Sequence, residues 1–112
     1  MINYVEFPAR DLSATQTFFE QVFGWQFEAY GEAYLAFSSG GTAGGFYHSD
    51  KASRMANGAV LVVIQAEDLE ACLARVEQHG GRISQAIFSF PGGRRFHFIE
   101  PSGNELAVWS EQ

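Results

Sequence analysis

Cysteine is nearly absent from this 112-residue chain: Cys72 stands alone. A lone thiol excludes a disulfide framework within the chain and any multi-cysteine metal site. Histidine and proline are scarce, with three of each. Cations are few as well. Seven Lys and Arg against thirteen Asp and Glu give a net charge of −6, which argues against nucleic acid and anionic membranes as partners. The longest apolar run, residues 59–64, is far too short to cross a bilayer. Nothing at the N-terminus reads as a signal peptide, because Glu6, Arg10 and Asp11 interrupt it, so a cytoplasmic protein is expected. The chain has no charge run, no low-complexity segment, no Walker or dinucleotide-binding glycine pattern, and no Gly-x-Ser-x-Gly elbow. Gly40-Gly41-Thr42-Ala43-Gly44-Gly45 is glycine-rich, but no helix follows it to cradle a phosphate.

Aromatic residues are plentiful: eleven Phe, four Tyr and two Trp. At this length one domain can bury roughly two-thirds of its unfolded surface, so the aromatics belong either to a core or to a cavity. The chain is also written twice. At an offset of 57 it matches itself at Asp11/Asp68, Leu12/Leu69, Ala14/Ala71, Glu20/Glu77, Gln21/Gln78 and Gly24/Gly81. A further five-residue shift lays Ser39-Gly40-Gly41 over Pro101-Ser102-Gly103, then Phe46 over Val108 and Tyr47 over Trp109. Two copies are too few for a solenoid and imply a duplicated module within one domain.

Each copy has the same order. In the first, residues 2–7 alternate as a strand, and Pro8 removes a ladder donor and ends it. Asp11 or Ser13 caps a helix whose apolar positions Ala14, Phe18, Phe19, Val22 and Phe23 fall at helical spacing, with Gly24 as the stop. Strands are predicted over residues 25–30, 33–38 and 43–48. In the second copy, residues 59–64 form a strand and Asp68 caps a helix with Leu69, Cys72, Leu73 and Val76 on one face. Gly80-Gly81 closes that helix, and strands follow over residues 82–90, 94–100 and 105–110. The fold expected is α+β: two βαβββ modules in one domain, forming a cupped mixed β-sheet with helices on the outer face. Module one covers about 1–50, a connector about 51–57, and module two about 58–112.

A paired βαβββ module with Asp-Leu opening each helix resembles the vicinal oxygen chelate superfamily, which includes glyoxalases, bleomycin-type resistance proteins, extradiol dioxygenases and fosfomycin-modifying enzymes. Three segments carry the resemblance. The stretch from Asp11-Leu12 to Gly24-Trp25 is similar to the family's first helix, with Phe19 at the usual Tyr. Asp68-Leu69 to Gly80-Gly81 repeats it. Phe98-Ile99-Glu100-Pro101-Ser102-Gly103-Asn104-Glu105-Leu106 is similar to the family's closing motif.

The resemblance implies a divalent cation held by His and Glu from the first and last strands of each module, with substrate oxygens completing the shell. Matching by spacing puts Tyr4, about Gly45, Leu61 and about Ala107 at those positions. None is a good ligand, so no metal and no cofactor is expected. Strand parity then turns Tyr4, Glu6, Leu61, Val63, Glu105, Ala107 and Trp109 toward the cup, leaving Leu106 and Val108 under the helices. The expected ligand-binding residues are Tyr4, Glu6, Tyr47, Leu61, Val63, Ala107 and Trp109, lining an apolar, aromatic pocket. Glu6 and His97 are the catalytic candidates, should the protein be an enzyme. Arg94-Arg95 is expected to pair with Glu6 or Glu105, to hold an anion, or to be solvated turn chemistry; Cys72 reads as an inert core thiol. The leading expectation is a metal-independent small-molecule binding protein of the drug- or metabolite-sequestering kind. The alternatives are a glyoxalase-like lyase or dioxygenase-like enzyme, and an interaction module with a filled cup. Such chains typically pair, so a homodimer with two equivalent pockets is expected.

Overall fold

The repeat fixes two helix starts in the same way. Asp11 and Asp68 each sit outside the helix with extended-type backbone and accept a hydrogen bond from the amide three residues on, Ala14 N and Ala71 N, both at 3.0 Å. The helices are α1 (Leu12–Phe23) and α2 (Leu69–Gln78) in a computed structural model that describes residues 1–112. Gly24 ends α1 in the left-handed region at φ 71°; its amide donates to the Glu20 carbonyl and that of Trp25 to the Phe19 carbonyl. The strands are β1 (Tyr4–Ala9), β2 (Gln26–Ala29), β3 (Tyr34–Ser38), β4 (Ala43–His48), β5 (Val62–Gln65), β6 (Arg82–Phe90), β7 (Gly93–Ile99) and β8 (Glu105–Ser110). They form two four-stranded mixed sheets of identical order, β1-β4-β3-β2 and β5-β8-β7-β6, with no hydrogen-bonded ladder joining them.

Register keeps the repeat's phase. Glu6 stands opposite Gly45 in the first sheet, and the repeat-related Val63 stands opposite Ala107 in the second. Tyr34 faces Tyr47 as Arg95 faces Trp109, which makes Tyr34 and Arg95 equivalent positions. One face of each sheet turns to a shared core and carries Phe7, Phe37 and Phe46 from the first sheet and Phe96, Phe98, Leu106 and Val108 from the second. Helix α1 serves both. Phe19 stacks on Trp25 at 4.4 Å and tilts against Phe46 at 5.5 Å, while Phe18 and Phe23 reach Phe98 at 5.7 and 5.9 Å. Seven of the eleven Phe are buried in this core, whereas none of the four Tyr is. No helix is long and apolar enough to cross a membrane.

The closing motif of module two ties the modules together. Glu100 is buried and accepts from Thr15 Oγ1 (2.7 Å), Ser102 N (2.8 Å) and Asn104 Nδ2 (2.6 Å). Asn104 Nδ2 also donates to the Pro8 carbonyl (2.6 Å), and its Oδ1 accepts from Ser53 N (2.8 Å). Groups from β1, α1, the connector and the β7–β8 turn are thus satisfied by one network, as buried polar groups require.

Two strands depart from expectation by more than one residue at a limit. Strand β1 starts at Tyr4 and runs through Pro8 to Ala9. Proline is tolerated because β1 is the edge strand of its sheet, where a missing donor breaks no second ladder. Strand β5 starts at Val62, not residue 59, because its ladder with β8 opens at Val62–Leu106 and the Ala59 amide is bonded to the Arg54 carbonyl across a single 3₁₀ turn, Met55–Asn57.

Candidate functional site

On the face of the first sheet away from the core, alternation brings Tyr4 and Glu6 of β1, Gly45 and Tyr47 of β4, and Tyr34 and Ala36 of β3 into one patch. Its centre is a chain of hydroxyls. Tyr34 donates to Glu6 Oε2 at 2.8 Å, and the Tyr4 and Tyr34 hydroxyls lie 2.6 Å apart, so Tyr4 donates to Tyr34. Desolvation, then the bonds to Tyr4 and Glu6, push the Tyr34 phenol well above the usual tyrosine range and keep it a donor. Only glycine leaves room beneath it with the ring in this place: a Cβ built on Gly45 would overlap the Tyr34 hydroxyl and ring. Of these residues only Glu6 carries a charge, so the patch is acidic.

The corresponding face of the second sheet is of opposite character. Arg95 and His97 of β7 lie beside Trp109 and Ala107 of β8, with Val63 of β5 next in line. The Arg95 guanidinium carbon is 5.3 Å from the Phe88 ring centre and 5.7 Å from that of Phe90, within cation–π range of both. Phe90 meets Trp109 edge-on at 6.2 Å. His97 is 6% exposed, and its Nε2 is buried with no hydrogen-bond partner. Burial first, then the charge of Arg95, hold its imidazole below the ordinary histidine value. Its Nδ1 lies 4.0 Å from Glu105 Oε2, too far for a hydrogen bond, so the pair is a neutral imidazole beside a carboxylate. Glu105 has closer partners in Met55 N and Ser84 Oγ, both at 3.0 Å.

Besides a cavity of about 510 Å³ that Val63 borders together with Val5, Phe7, Trp25 and Phe37, two cavities involve the expected ligand-binding residues. One of about 490 Å³ opens along the seam between edge strands β1 and β5 and brings Glu6 and Leu61 together with Ile2 and Val60. Another of about 380 Å³ lies on the second sheet and brings Val63 and Trp109 together with Phe90, Gly92, Arg95 and Glu111. Tyr4 and Tyr47 border neither, and Ala107 is fully buried beneath the second face. Within one chain, the seven residues therefore fall into separate groups on two sheets. Arg94, grouped with Arg95 in the sequence, pairs instead with Glu70 and bonds the Gln112 carbonyl. Cys72 is buried, and burial pushes its thiol up, as an inert core residue requires.

The residues at the four chelate positions do not fit a divalent-ion centre. Gly45, Leu61 and Ala107 offer no side-chain donor atom, and the Tyr4 phenol is engaged by Tyr34. The space over Gly45 is filled by the Tyr34 hydroxyl, and nowhere do three His, Cys, Asp or Glu side chains converge. Sequence reasoning missed Tyr34. Its available signal was the double glycine Gly44-Gly45 in a strand, which marks a close approach by a neighbouring group.

Comparison with known proteins agrees with the architecture. The Burkholderia phytofirmans PsJN structure described as a glyoxalase/bleomycin resistance protein/dioxygenase family enzyme superimposes with a TM-score of 0.82 at 15% identity, covering 99% of this chain and 98% of that one. The genomically encoded fosfomycin resistance protein FosX from Listeria monocytogenes gives 0.81 at 13% identity, covering 98% and 92%. Lactoylglutathione lyase from Agrobacterium tumefaciens gives 0.73 at 21% identity, covering 98% and 92%. At these identities the likeness is one of fold. No curated protein matches the sequence. The family model described as Glyoxalase/Bleomycin resistance protein/Dioxygenase superfamily matches residues 1–108, and the chain belongs to that superfamily.

Proposed function

We propose that the protein binds a small molecule without a resident metal, in an apolar and aromatic pocket, and sequesters a drug or metabolite. The observation that carries this reading is the chemistry at the four chelate positions: Tyr4, Gly45, Leu61 and Ala107, with the Tyr34 hydroxyl over Gly45. A phenol and three positions without donor atoms cannot replace the hydration shell of a divalent ion. Aromatic and apolar walls with a few fixed polar groups suit a small organic ligand instead. A thermal-shift screen of aromatic and charged drug-like compounds tests the reading. Stabilisation by a chemically coherent subset supports it; silence across a broad library favours a face that is filled by side chains and works as an interaction module.

A homodimer belongs to the same proposal. Strands β1 and β5 each pair on one side only, and Ile2, Tyr4, Val60 and Val63 on or beside them are between 42% and 84% exposed. A second copy would cover these edges and bring an acidic first-module patch against a second-module face that carries Arg95.

An enzymatic reading, glyoxalase-like or dioxygenase-like, has one observation in its favour. The Glu6 carboxylate is exposed at the head of the Tyr4–Tyr34 chain, where it is able to take a proton. A Glu6→Gln variant that retains full turnover, once an activity is found, removes Glu6 from that scheme.

A further inference from the structure

The second sheet's face holds a cation that the protein itself leaves without a partner. Arg95 has no carboxylate within 4.0 Å: Glu70 is paired with Arg94, and Glu105 lies beside the neutral His97. Its Nε is buried and makes no hydrogen bond. Two residues along the same face of β7, the buried His97 also has an unpartnered nitrogen, Nε2. Native proteins rarely leave such donors orphaned, because each lost bond costs about 1–3 kcal/mol. The guanidinium is also held in place by the flanking Phe88 and Phe90 rings, so it enters a complex already ordered. It lines the 380 Å³ cavity whose other walls include Phe90, Trp109 and Val63. That volume suits a mono- or bicyclic organic molecule.

We propose that this cavity is a recognition site for a small organic anion, with its acid group on the Arg95 fork and its apolar or aromatic body against Trp109 and Phe90. The proposal rests on the small-molecule reading above and adds the ligand's charge. A carboxylate, sulfonate or phosphonate supplies the acceptors that the guanidinium lacks, and bidentate geometry favours Arg over Lys at such a site. Glu111 also borders the cavity but lies beyond ion-pair distance of Arg95, which leaves the guanidinium free.

Three matched probes test it on the full chain by titration calorimetry: 2-naphthoate, neutral 2-naphthylmethanol and cationic 2-naphthylmethylamine. The indole N–H resonance of Trp109 reports the location, with the buried Trp25 as internal control. The expected result is 2-naphthoate binding at least tenfold tighter than the alcohol, the amine weakest, and the Trp109 resonance moving while Trp25 does not. Arg95→Met should reduce naphthoate affinity to that of the alcohol; if that variant misfolds by circular dichroism, Arg95→Lys should still cost severalfold. Equal affinity for naphthoate and alcohol, or naphthoate affinity unchanged in the folded Arg95 variant, overturns the anion site while small-molecule binding stands. Failure of all three probes to bind overturns this site, whereas failure of a broad library counts against the wider reading. An Arg95→Met chain that dissociates to monomers yet keeps its naphthoate affinity assigns Arg95 to an interface between copies and also overturns the proposal.

Discussion

Gly45 lies directly under the hydroxyl of Tyr34, so closely that a single methyl at Gly45 would occupy the phenol's position. Gly45 stands at one of the positions where metal-using relatives of this fold are expected to place a ligand, and here the position instead accommodates a neighbour's ring. The glycine lets Tyr34 reach Glu6 at 2.8 Å and Tyr4 at 2.6 Å across the strands.

Gly45→Ala should therefore expel the Tyr34 ring toward solvent and break its bond to Glu6. Because the overlapping atoms are the far end of a partly exposed side chain, the cost should be modest, about 1 kcal/mol, the low end for an overpacked site. A double-mutant cycle by thermal denaturation isolates the contact: in a Tyr34→Ala background the penalty of Gly45→Ala should vanish. An equal penalty in both backgrounds would show that the ring is not what the methyl meets.

Asn104→Ala should be the more damaging substitution, although Asn104 touches no cavity wall. Truncation leaves the Pro8 carbonyl, the Glu100 carboxylate and the Ser53 amide each short of a partner inside the protein. A loss of about 3 kcal/mol is expected, read as a lower urea midpoint. Thr15→Val removes one donor to the same carboxylate and should cost about 2 kcal/mol. A midpoint unchanged in both variants would mean that the network does not hold the modules together.

His97 gives the stability a pH dependence of definite sign. Burial, with the Arg95 charge second, lowers its pKa in the folded state, while Glu105 pulls the other way. As pH falls through the ordinary histidine value near 6.5, the unfolded chain takes up its proton before the folded chain does, so stability falls on acidification. Glu100, raised chiefly by burial, acts in the opposite sense above its ordinary value of 4.5, and a comparison with His97→Gln cancels that contribution. Between pH 7.5 and 5.5 the melting temperature of His97→Gln should fall less than that of the unsubstituted protein. Parallel profiles would show that His97 keeps its ordinary pKa.

Local chemistry made much of the fold readable. Asp11 and Asp68 cap their helices because a short carboxylate three residues before a free amide has one good conformation, and the repeat announced both at once. Strand parity likewise separated Leu106 and Val108 from Ala107 and Trp109 correctly. What escaped was decided by neighbours in space. Whether Pro8 ends a strand depends on β1 being at a sheet edge, and where β5 begins depends on the length of its ladder with β8. Tyr34 became the hub of the first face only because β3 sets it beside Gly45 of β4 and within reach of Glu6 of β1. Arg95 and Arg94 are adjacent in sequence yet opposite in fate, since successive strand residues face opposite ways and only Arg94 finds Glu70.

The most direct test of the account is the metal content of the full chain purified without chelators, measured by elemental analysis alongside its melting temperature with added Mn²⁺, Zn²⁺ or EDTA. A resident ion present at a hundred times its dissociation constant would stabilise the fold by about 2.7 kcal/mol, a shift easily resolved. Far less than one divalent ion per chain is expected, with a melting temperature indifferent to all three additions. One tightly bound divalent ion per chain, with EDTA lowering the melting temperature, would contradict it.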